Sequence, residues 1–191
     1  MPSNALLFPG LPLHSARLVL SPIRRDDAAA LFALQSDPAM THWWHHPAWT
    51  RAAQAKAQID DDLAAFTTGT QLKLAVRDAR DGPLLGICVV FAIDRQAARA
   101  EIGYLLSPGV QGRGYMHEAL ACVQDYLFGT LRLHRLEAEI DPRNAASAHV
   151  LERLGYQHEG VLRQRWHLHG AWADSAIYGL LAPATGEAAA T

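Results

Sequence analysis

One stretch in the middle of the chain, residues 102–119, most constrains the fold. It joins an apolar, strand-like segment to an amphipathic, helix-like segment through a loop in which Gly112 and Gly114 flank Arg113. Glycines let a backbone approach a ligand closely, and the first N–H groups of a helix have no intrahelical partners. These N–H groups and the positive end of the helix dipole favour an anion, most often a phosphate. The stretch therefore predicts a strand, a phosphate-binding loop and a helix.

Two familiar phosphate sites do not fit this loop. A dinucleotide-binding loop needs a third glycine at the position where this chain has His117, and a P-loop needs a Gly-Lys-Ser/Thr ending, which the chain lacks. On the loop alone, one alternative stays open, which is a glycine-rich start of a helix that binds no ligand.

The loop sequence resembles the Gln/Arg-x-x-Gly-x-Gly/Ala pyrophosphate loop of the GNAT superfamily of N-acetyltransferases. The resemblance implies acetyl-coenzyme A as cosubstrate, gripped through its pyrophosphate. The implied cofactor-binding residues of the loop are Gln111, Gly112, Arg113, Gly114, Tyr115 and Met116. Met116 stands where the superfamily usually has Gly or Ala. Its N–H remains available, and its side chain is expected to pack behind the loop.

The second half of the chain carries the resemblance further. Residues 134–160 are similar to the fifth strand, the Asn-headed helix and the Leu-Gly-Tyr/Phe turn of the same superfamily. Three later motifs, at 159–163, 170–174 and 178–181, are similar to the branch that contains the ribosomal-protein serine and alanine N-terminal acetyltransferases. The resemblance covers roughly residues 14–181, nearly the whole chain.

Length and composition set the class of protein. A chain of 191 residues, half of them apolar, is expected to form one soluble domain over 1–181, with a disordered tail over 182–191. A net charge of −2 makes direct nucleic-acid binding unlikely. No apolar run approaches the ~20 residues that span a bilayer, and no signal peptide is recognisable. Cys88 and Cys122 are expected to be buried thiols, which suits a cytoplasmic location.

The hydrophobic periodicity predicts a mixed α/β fold. Asp26 and Asp27 are expected to open a first helix, a loop covers 41–47, and Thr50 is expected to cap a second helix that ends near Phe66. Predicted strands cover 17–21, 72–76, 84–93 (joined to the preceding strand by a turn at 81–83), 99–106, a segment ending at Ile140, and a hairpin that turns at Gly170. This order agrees with the GNAT fold, a central, mostly antiparallel mixed sheet of about seven strands with helices on both faces.

Acetyl transfer to an amine needs a base, because the amine must be neutral when it attacks. Glu101 is the first candidate, since the resemblance places its strand beside the thioester. The alternative is a structural glutamate paired with an arginine such as Arg99. The resemblance also implies that the backbone of Tyr104, Leu105 and Leu106 holds the pantetheine. Tyr104 could line the acceptor pocket or simply pack in the core.

The helix after Ile140 offers two further candidates. Asn144 is a natural helix N-cap, and the resemblance adds a hydrogen bond to the pantetheine. Many members of the superfamily place a tyrosine acid where this chain has Leu151, which cannot donate a proton. The branch named above resembles this chain in having serine at the position of Ser147. Ser147 is therefore the candidate acid for the leaving thiolate, with a structural role in the first helical turn as the alternative.

The acceptor side is marked by tryptophans. Trp43 and Trp44, within Trp43-Trp44-His45-His46, are expected to form a wall of the acceptor site, although one of them could instead anchor the core. Two other histidines, His167 and His169, have no cysteine or carboxylate nearby to complete a metal set, so no metal is expected.

The predicted function is an acetyl-CoA-dependent N-acetyltransferase with direct transfer, and the expected acceptor is the α-amino group of a protein or peptide. One alternative acceptor is a small amine such as a polyamine, an amino acid or an antibiotic; the acidic run 60–62 is the candidate polyamine site, although a solvated helix face explains it better. A second alternative is a non-catalytic acyl-CoA-binding module, which would be expected to lack Glu101 and Ser147. A homodimer is a further, family-level expectation.

Overall fold

The computed structural model describes residues 7–44, 46–78, 82–168 and 170–183. The predictions that concern His45, Asp81, His169 and residues 184–191 of the expected tail lie outside the described residues.

The fold is built on one eight-stranded sheet in the order β1-β2-β3-β4-β5-β6-β8-β7. The strands are β1 (Leu13–His14), β2 (Val19–Pro22), β3 (Leu72–Arg77), β4 (Leu84–Asp94), β5 (Arg99–Leu106), β6 (Arg135–Ile140), β7 (Gln157–Leu168) and β8 (Ala171–Leu181). The β5–β6 pair is parallel and the other pairs are antiparallel. The mixed, mostly antiparallel sheet is confirmed, and the strand beyond the expected seven is the two-residue β1, too short to show an alternating pattern.

Helices cover both faces of this sheet, as predicted. They are α1 (Ala28–Ser36), α2 (Pro38–Thr41), α3 (Ala52–Thr68), α4 (Tyr115–Gly129) and α5 (Ala145–Arg153). One core, formed by α1 and α3 against the sheet, includes Leu31 and Ile59. The other, formed by α4 and α5, includes Leu120, Leu127 and Leu151. Because successive strand residues point to opposite faces, each central strand contributes to both cores.

Two predicted helix starts need correction. A 3-10 turn over Arg25–Asp27 precedes α1, and Asp27 is buried there in an ion pair with Arg77. The second helix, α3, has Arg51 rather than Thr50 as its N-cap. The side-chain oxygen of Gln54 accepts the N–H groups of Thr50 and Arg51 at 3.0 and 2.9 Å, so the first turn is capped from inside the helix.

The expected loop over 41–47 also differs slightly, because Thr41 ends the short helix α2. The cysteines divide: Cys88 is buried, which raises the pKa of its thiol to about 12, whereas Cys122 is only half-buried. The hairpin turn at Gly170 between β7 and β8 is confirmed.

Candidate active site

The sheet opens next to β5, and this opening creates the site. β4 stays paired with β5 up to Gly86 and Leu106, but β6 pairs with β5 only as far as Glu101 and Glu137. Beyond that point β5 and β6 separate, so residues 102–106 have a neighbouring strand on one side only. Backbone N–H and C=O groups on the open side need partners from elsewhere.

A cavity of about 440 Å³ lies at this separation and is lined from both faces of the sheet. Glu101 lies on the face of α1 and α3, because its register partner is Phe91 and both Phe91 and Leu105 pack in that core. Tyr104 packs in the opposite core, below α5. The cavity thus passes through the sheet. On the α5 side it reaches Asn144 and Ser147. On the other side it reaches Glu101, Glu139 and three tryptophans, Trp43, Trp44 and Trp49.

Two further carboxylates lie near Glu101 on the α1/α3 face. Glu137 is its register partner on β6, and Glu139 is two residues further along the same face. Arg99 forms its ion pair with Glu137, at 3.0 Å, so it does not pair with Glu101 as the alternative had it. The pKa of Glu101 is raised to about 7. Burial is the largest cause, and the negative charges of Glu139 and Glu137 act in the same direction.

Glu139 is held in place by two residues of β7 that the sequence analysis did not single out. Trp166 Nε1 donates a hydrogen bond to Glu139 Oε1 at 2.6 Å, and Arg165 Nε lies 3.6 Å from the same oxygen. Both side chains line the cavity. No motif signals this contact, because it joins β6 to β7 only after the sheet has formed.

The α5 side of the cavity is ordered by a helix cap. Asn144 is the N-cap of α5, as predicted, and its side-chain oxygen accepts the N–H of Ser147 at 3.1 Å. Tyr104 donates its hydroxyl hydrogen to the carbonyl of Ser147 at 3.3 Å, while burial raises the pKa of Tyr104 to about 12. Tyr104 is therefore a neutral phenol that ties β5 to α5. Within the described residues, the Ser147 hydroxyl has no hydrogen-bond partner.

The glycine loop has the predicted form. Gly112 and Gly114 adopt φ values of 73° and 76°, and the first helical N–H with a carbonyl partner is that of Glu118, to Gly114. The N–H groups just before Glu118 are therefore available to an anion. The side chain of Met116 is buried behind the loop against Cys88, with the sulfurs 3.9 Å apart.

Two side chains fix this loop in place. Gln111 belongs to the loop and was predicted to be part of the cofactor site, whereas Arg17 lies outside the loop and was not. Gln111 Nε2 donates to the carbonyl of Leu106 at 2.9 Å, which joins the loop to the end of β5. Arg17, which the sequence analysis passed over, donates to the carbonyl of Arg113 at 3.1 Å, pairs with Glu118 at 2.7 Å and lies over the Tyr115 ring. The Arg113 side chain itself is exposed.

The tryptophans line the α1/α3 side of the cavity. Trp44 and Trp49 pack partly against the core of that face, and Trp43 lies beneath the guanidinium of Arg143, 5.9 Å from the ring centre. Arg143 pairs in turn with Asp141 at the end of β6. Trp43 therefore contacts the start of α5, whereas Trp44 serves partly as a core anchor. The backbone of Trp49 is tied to α1 by a hydrogen bond of 2.8 Å to the carbonyl of Gln35.

Some candidates stay outside the cavity or lose their expected role. Leu105 and Leu106 have side chains buried in opposite cores, so only their backbone is available to a ligand. In the acidic run, Asp60 pairs with Arg25 on the surface, but Asp62 is buried against Lys73, so the run is not wholly a solvated face. No cluster of three or more metal-ligating side chains, and no helix long and apolar enough to cross a bilayer, occurs within the described ranges.

Comparison with known proteins agrees with this architecture. The chain is 32% identical over 171 residues to an uncharacterized N-acetyltransferase, p20, of Bacillus licheniformis, covering 88% of this chain and 95% of the relative. It is 24% identical over 162 residues to spermidine N(1)-acetyltransferase of Escherichia coli K12, covering 85% and 83%. It is 28% identical over 116 residues to the ribosomal protein uS5-alanine N-acetyltransferase of the same organism, covering 60% of each chain.

Solved structures show the same fold. RimJ of Mycobacterium smegmatis, in complex with CoA-disulfide, superposes with a TM-score of 0.77 at 26% identity, over 86% of this chain and 82% of that one. The family model described as an acetyltransferase (GNAT) domain matches residues 17–157, which include the open strand, the glycine loop and α5. The chain therefore belongs to the GNAT family of acetyltransferases, and it is an N-acetyltransferase whose cosubstrate is acetyl-CoA.

Proposed function

We propose that the protein transfers the acetyl group directly to the α-amino group of a peptide or protein N-terminus, without a covalent enzyme intermediate. The observation that carries this proposal is the single cavity through the sheet, which brings Glu101 on one face together with Asn144 and Ser147 on the other. Acetyl-CoA supplies a thioester-activated acetyl group. A cavity with a base on one side and a hydroxyl on the other suits attack by an amine and departure of a thiolate.

The residues on the α5 side fit the cosubstrate. The open edge of β5 offers the backbone of Tyr104, Leu105 and Leu106 to the pantetheine, and the Asn144 side chain is placed beside the same gap. The N–H groups of residues 112–116 would hold the pyrophosphate, and the exposed Arg113 side chain could approach it. Arg17 is then a positioning residue, since it holds the loop through the carbonyl of Arg113.

Glu101 is the proposed base. A carboxyl group with a pKa of about 7 is ionised in a large fraction of molecules at neutral pH and is a far stronger proton acceptor than an ordinary glutamate. It would accept a proton from the ammonium group of the acceptor, directly or through water, and so produce the neutral amine that attacks the thioester. Ser147 is the proposed donor to the departing thiolate, because its hydroxyl lines the cavity and Leu151 is fully buried in the core.

One other class of acceptor competes with this proposal. A small polycationic acceptor is favoured by the carboxylates Glu101 and Glu139 in the cavity and by the likeness to a spermidine acetyltransferase. Asp60 and Asp62 do not add to this, because both are paired with cations. A non-catalytic acyl-CoA-binding module is disfavoured by the presence of Glu101 and Ser147 in one cavity. A cytoplasmic location and a homodimer stay predictions.

The experiment that tests the proposal measures release of the coenzyme A thiol from acetyl-CoA. The acceptors are Ser-, Ala- and Met-initiated peptides, the same peptides with blocked N-termini, spermidine, free amino acids and aminoglycosides. Release with open peptides that disappears on blocking supports the proposal. Release with small amines alone moves the function to metabolite or drug modification, and silence despite tight acetyl-CoA binding favours the binding module.

Substitution of the two proposed proton-transfer residues tests the mechanism. Glu101→Gln is expected to lower kcat about 10²- to 10⁴-fold, the usual contribution of a positioned base. Ser147→Ala is expected to lower kcat with little change in cosubstrate affinity, because the Asn144 cap bonds the backbone N–H of residue 147 rather than its hydroxyl. Asp61→Asn, an exposed change on α3, is the control. Unchanged turnover in both variants would contradict the mechanism.

A further inference from the structure

Two buried polar side chains, Gln35 and Lys73, form the floor of the cavity on the α1/α3 side, and the mechanism above does not use them. Gln35 on α1 and Lys73 on β3 line the cavity, yet they are only 3% and 8% exposed. Burying polar and charged groups is costly unless they are hydrogen-bonded. The two side chains therefore need hydrogen-bonding partners, and a ligand in the cavity could supply them.

Lys73 is held by one carboxylate. Its Nζ lies 2.6 Å from Asp62 Oδ2, and the other oxygen of Asp62 accepts hydrogen bonds from the amides of Gln58 and Gln71, at 3.1 and 2.7 Å. Asp62 is thus ion-paired through one oxygen and hydrogen-bonded through the other. An ammonium group carries three N–H donors. Over the described part of the chain, Asp62 is the one partner of Lys73 Nζ, which leaves donors for a ligand oxygen.

Gln35 adds an acceptor to the wall of the same cavity. Its side-chain carbonyl is buried without a hydrogen-bond partner within the described residues. Its backbone carbonyl is already used to hold Trp49, so the residue is fixed in position. A buried, unpaired carbonyl costs free energy until an N–H or O–H group reaches it. Gln35 and Lys73 together therefore match a ligand that offers both a hydrogen-bond donor and an oxygen acceptor.

This floor is well separated from the proposed base. Lys73 is in register with Val89 on β4, Val89 with Gly103 on β5, and Glu101 lies two residues before Gly103. With strands about 4.8 Å apart and a rise of about 3.3 Å per residue, the Cα atoms of Lys73 and Glu101 are roughly 12 Å apart. At this separation, the two side chains are placed to reach different parts of one acceptor in the cavity.

We propose that Lys73 and Gln35 form an acceptor-recognition subsite that binds a carbonyl or carboxylate oxygen and a neighbouring N–H group of the acceptor. The subsite selects α-amino acids and peptides, whose amine is followed by such groups, over polyamines, whose next polar groups are cations that Lys73 repels. The proposal rests on the proposed function, because it assumes that the amine end of the acceptor lies at Glu101.

Calorimetry on the CoA-loaded protein tests the subsite without relying on turnover. The probes are alanyl-alanine amide, alanyl-alanine with a free carboxylate, n-butylamine and spermidine. The wild-type protein is expected to bind a dipeptide about 10- to 100-fold more tightly than n-butylamine, the range of a hydrogen bond to a charged group. Tighter binding of the amide identifies a carbonyl as the ligand, and tighter binding of the free acid identifies a carboxylate.

Two variants assign the effect to these side chains. Lys73→Met combined with Asp62→Asn removes both charges, so that no buried carboxylate is left unpaired, and Gln35→Leu leaves the ion pair intact if the double variant fails to fold. Each is expected to weaken dipeptide binding at least tenfold and to leave n-butylamine unchanged. Asp60→Asn, in the same acidic run but on the surface, is the control.

The outcomes separate this inference from the proposed function. Equal dipeptide affinity in wild type and both variants, no dipeptide binding at all, or tighter binding of spermidine than of either dipeptide overturns the subsite. Dipeptide binding that depends on Lys73 and Gln35, without any acetylation of a peptide, keeps the subsite and overturns the proposed function. If peptides are acetylated equally well by the wild type and by both variants, the proposed function is kept and the subsite is overturned.

Discussion

At the scale of single residues, the environment of Glu101 decides when the site is active. Its carboxyl is partly desolvated, and Glu139 and Glu137 lie on the same face of the sheet. Both effects disfavour the charged form, so the pKa of Glu101 lies near 7 rather than near the ordinary value for glutamate. A base must be ionised to accept a proton. We therefore expect kcat/KM to rise with pH through about 7, with the protonated enzyme inactive below it.

A change at Glu139 tests this origin of the pKa. Glu139→Gln removes the largest charge effect on Glu101 but retains an oxygen for the Trp166 hydrogen bond. The acidic limb of the pH–rate profile is then expected to move to lower pH, with the rate at the plateau nearly kept. Asp125→Asn, on α4, is the matched control and should leave the limb in place. A limb that stays at the same pH in Glu139→Gln would show that the charge of Glu139 does not raise the pKa of the titrating group.

Local sequence patterns pointed to some of these residues and not to others, for a physical reason. Glu101 and Ser147 were reached because they sit within motifs of contiguous sequence. Glu139 and Trp166 are 27 positions apart and meet only through β6, β8 and β7. Lys73 was assigned merely to a strand, because nothing in a local pattern shows that Asp62 will bury beside it. Contacts between distant segments have no periodic signature.

At the scale of elements, the β4–β5 pair sets the shape of the open edge. A Cβ on Gly86 would lie 2.3 Å from the carbonyl oxygen of Leu105, which is backbone and cannot rotate away. Gly86→Ala is therefore expected to push β5 out of register, to cost about 1–3 kcal/mol of unfolding free energy, and to weaken acetyl-CoA binding. Gly129→Ala, in α4 with no atom within 4 Å of the added carbon, is the control.

Denaturant unfolding and acetyl-CoA titration of these two glycine variants measure both effects. Gly129→Ala is expected to be neutral or slightly stabilising, because alanine is the better helix former. If Gly86→Ala is as stable as the wild type and binds acetyl-CoA equally well, close packing of β4 on β5 does not shape the cosubstrate edge.

The boundaries of the elements show where local rules suffice. Asn144 was correctly predicted as a cap, because its side chain bonds an N–H three residues away. Thr50 was wrong, because Gln54 inside the helix supplies the capping oxygen instead. The short strand β1 was missed because two residues, Leu13 and His14, form a strand only by pairing with β2. Strong periodicity located the long elements, and tertiary pairing decided the short ones.

At the scale of the whole molecule, two cores share one sheet. Leu31 belongs to the core under α1 and α3, and Leu120 to the core under α4 and α5; both are almost fully buried. Because β3, β4 and β5 contribute side chains to both cores, the two halves are expected to unfold together. Leu31→Ala and Leu120→Ala should each lower the free energy of unfolding by about 2–5 kcal/mol, in one cooperative transition.

The matched control for these core changes is Leu162→Ala on β7, where the side chain is 43% exposed and the loss should stay within about 0.5 kcal/mol. Circular dichroism and tryptophan fluorescence, followed during the same denaturant titration, should give coincident curves for all three proteins. Separate midpoints for the two signals would mean that one face of the sheet can melt while the other persists.

The passage through the sheet also bears on the kinetic order of the reaction. The cosubstrate is proposed to enter from the α5 side of the cavity and the acceptor from the α1/α3 side. Neither therefore has to pass the other to reach the reacting atoms. Loading therefore has no imposed sequence, and each product can leave through its own side. Initial-rate plots at several fixed concentrations of one substrate should then give intersecting lines, and a product should inhibit competitively against the substrate that shares its opening.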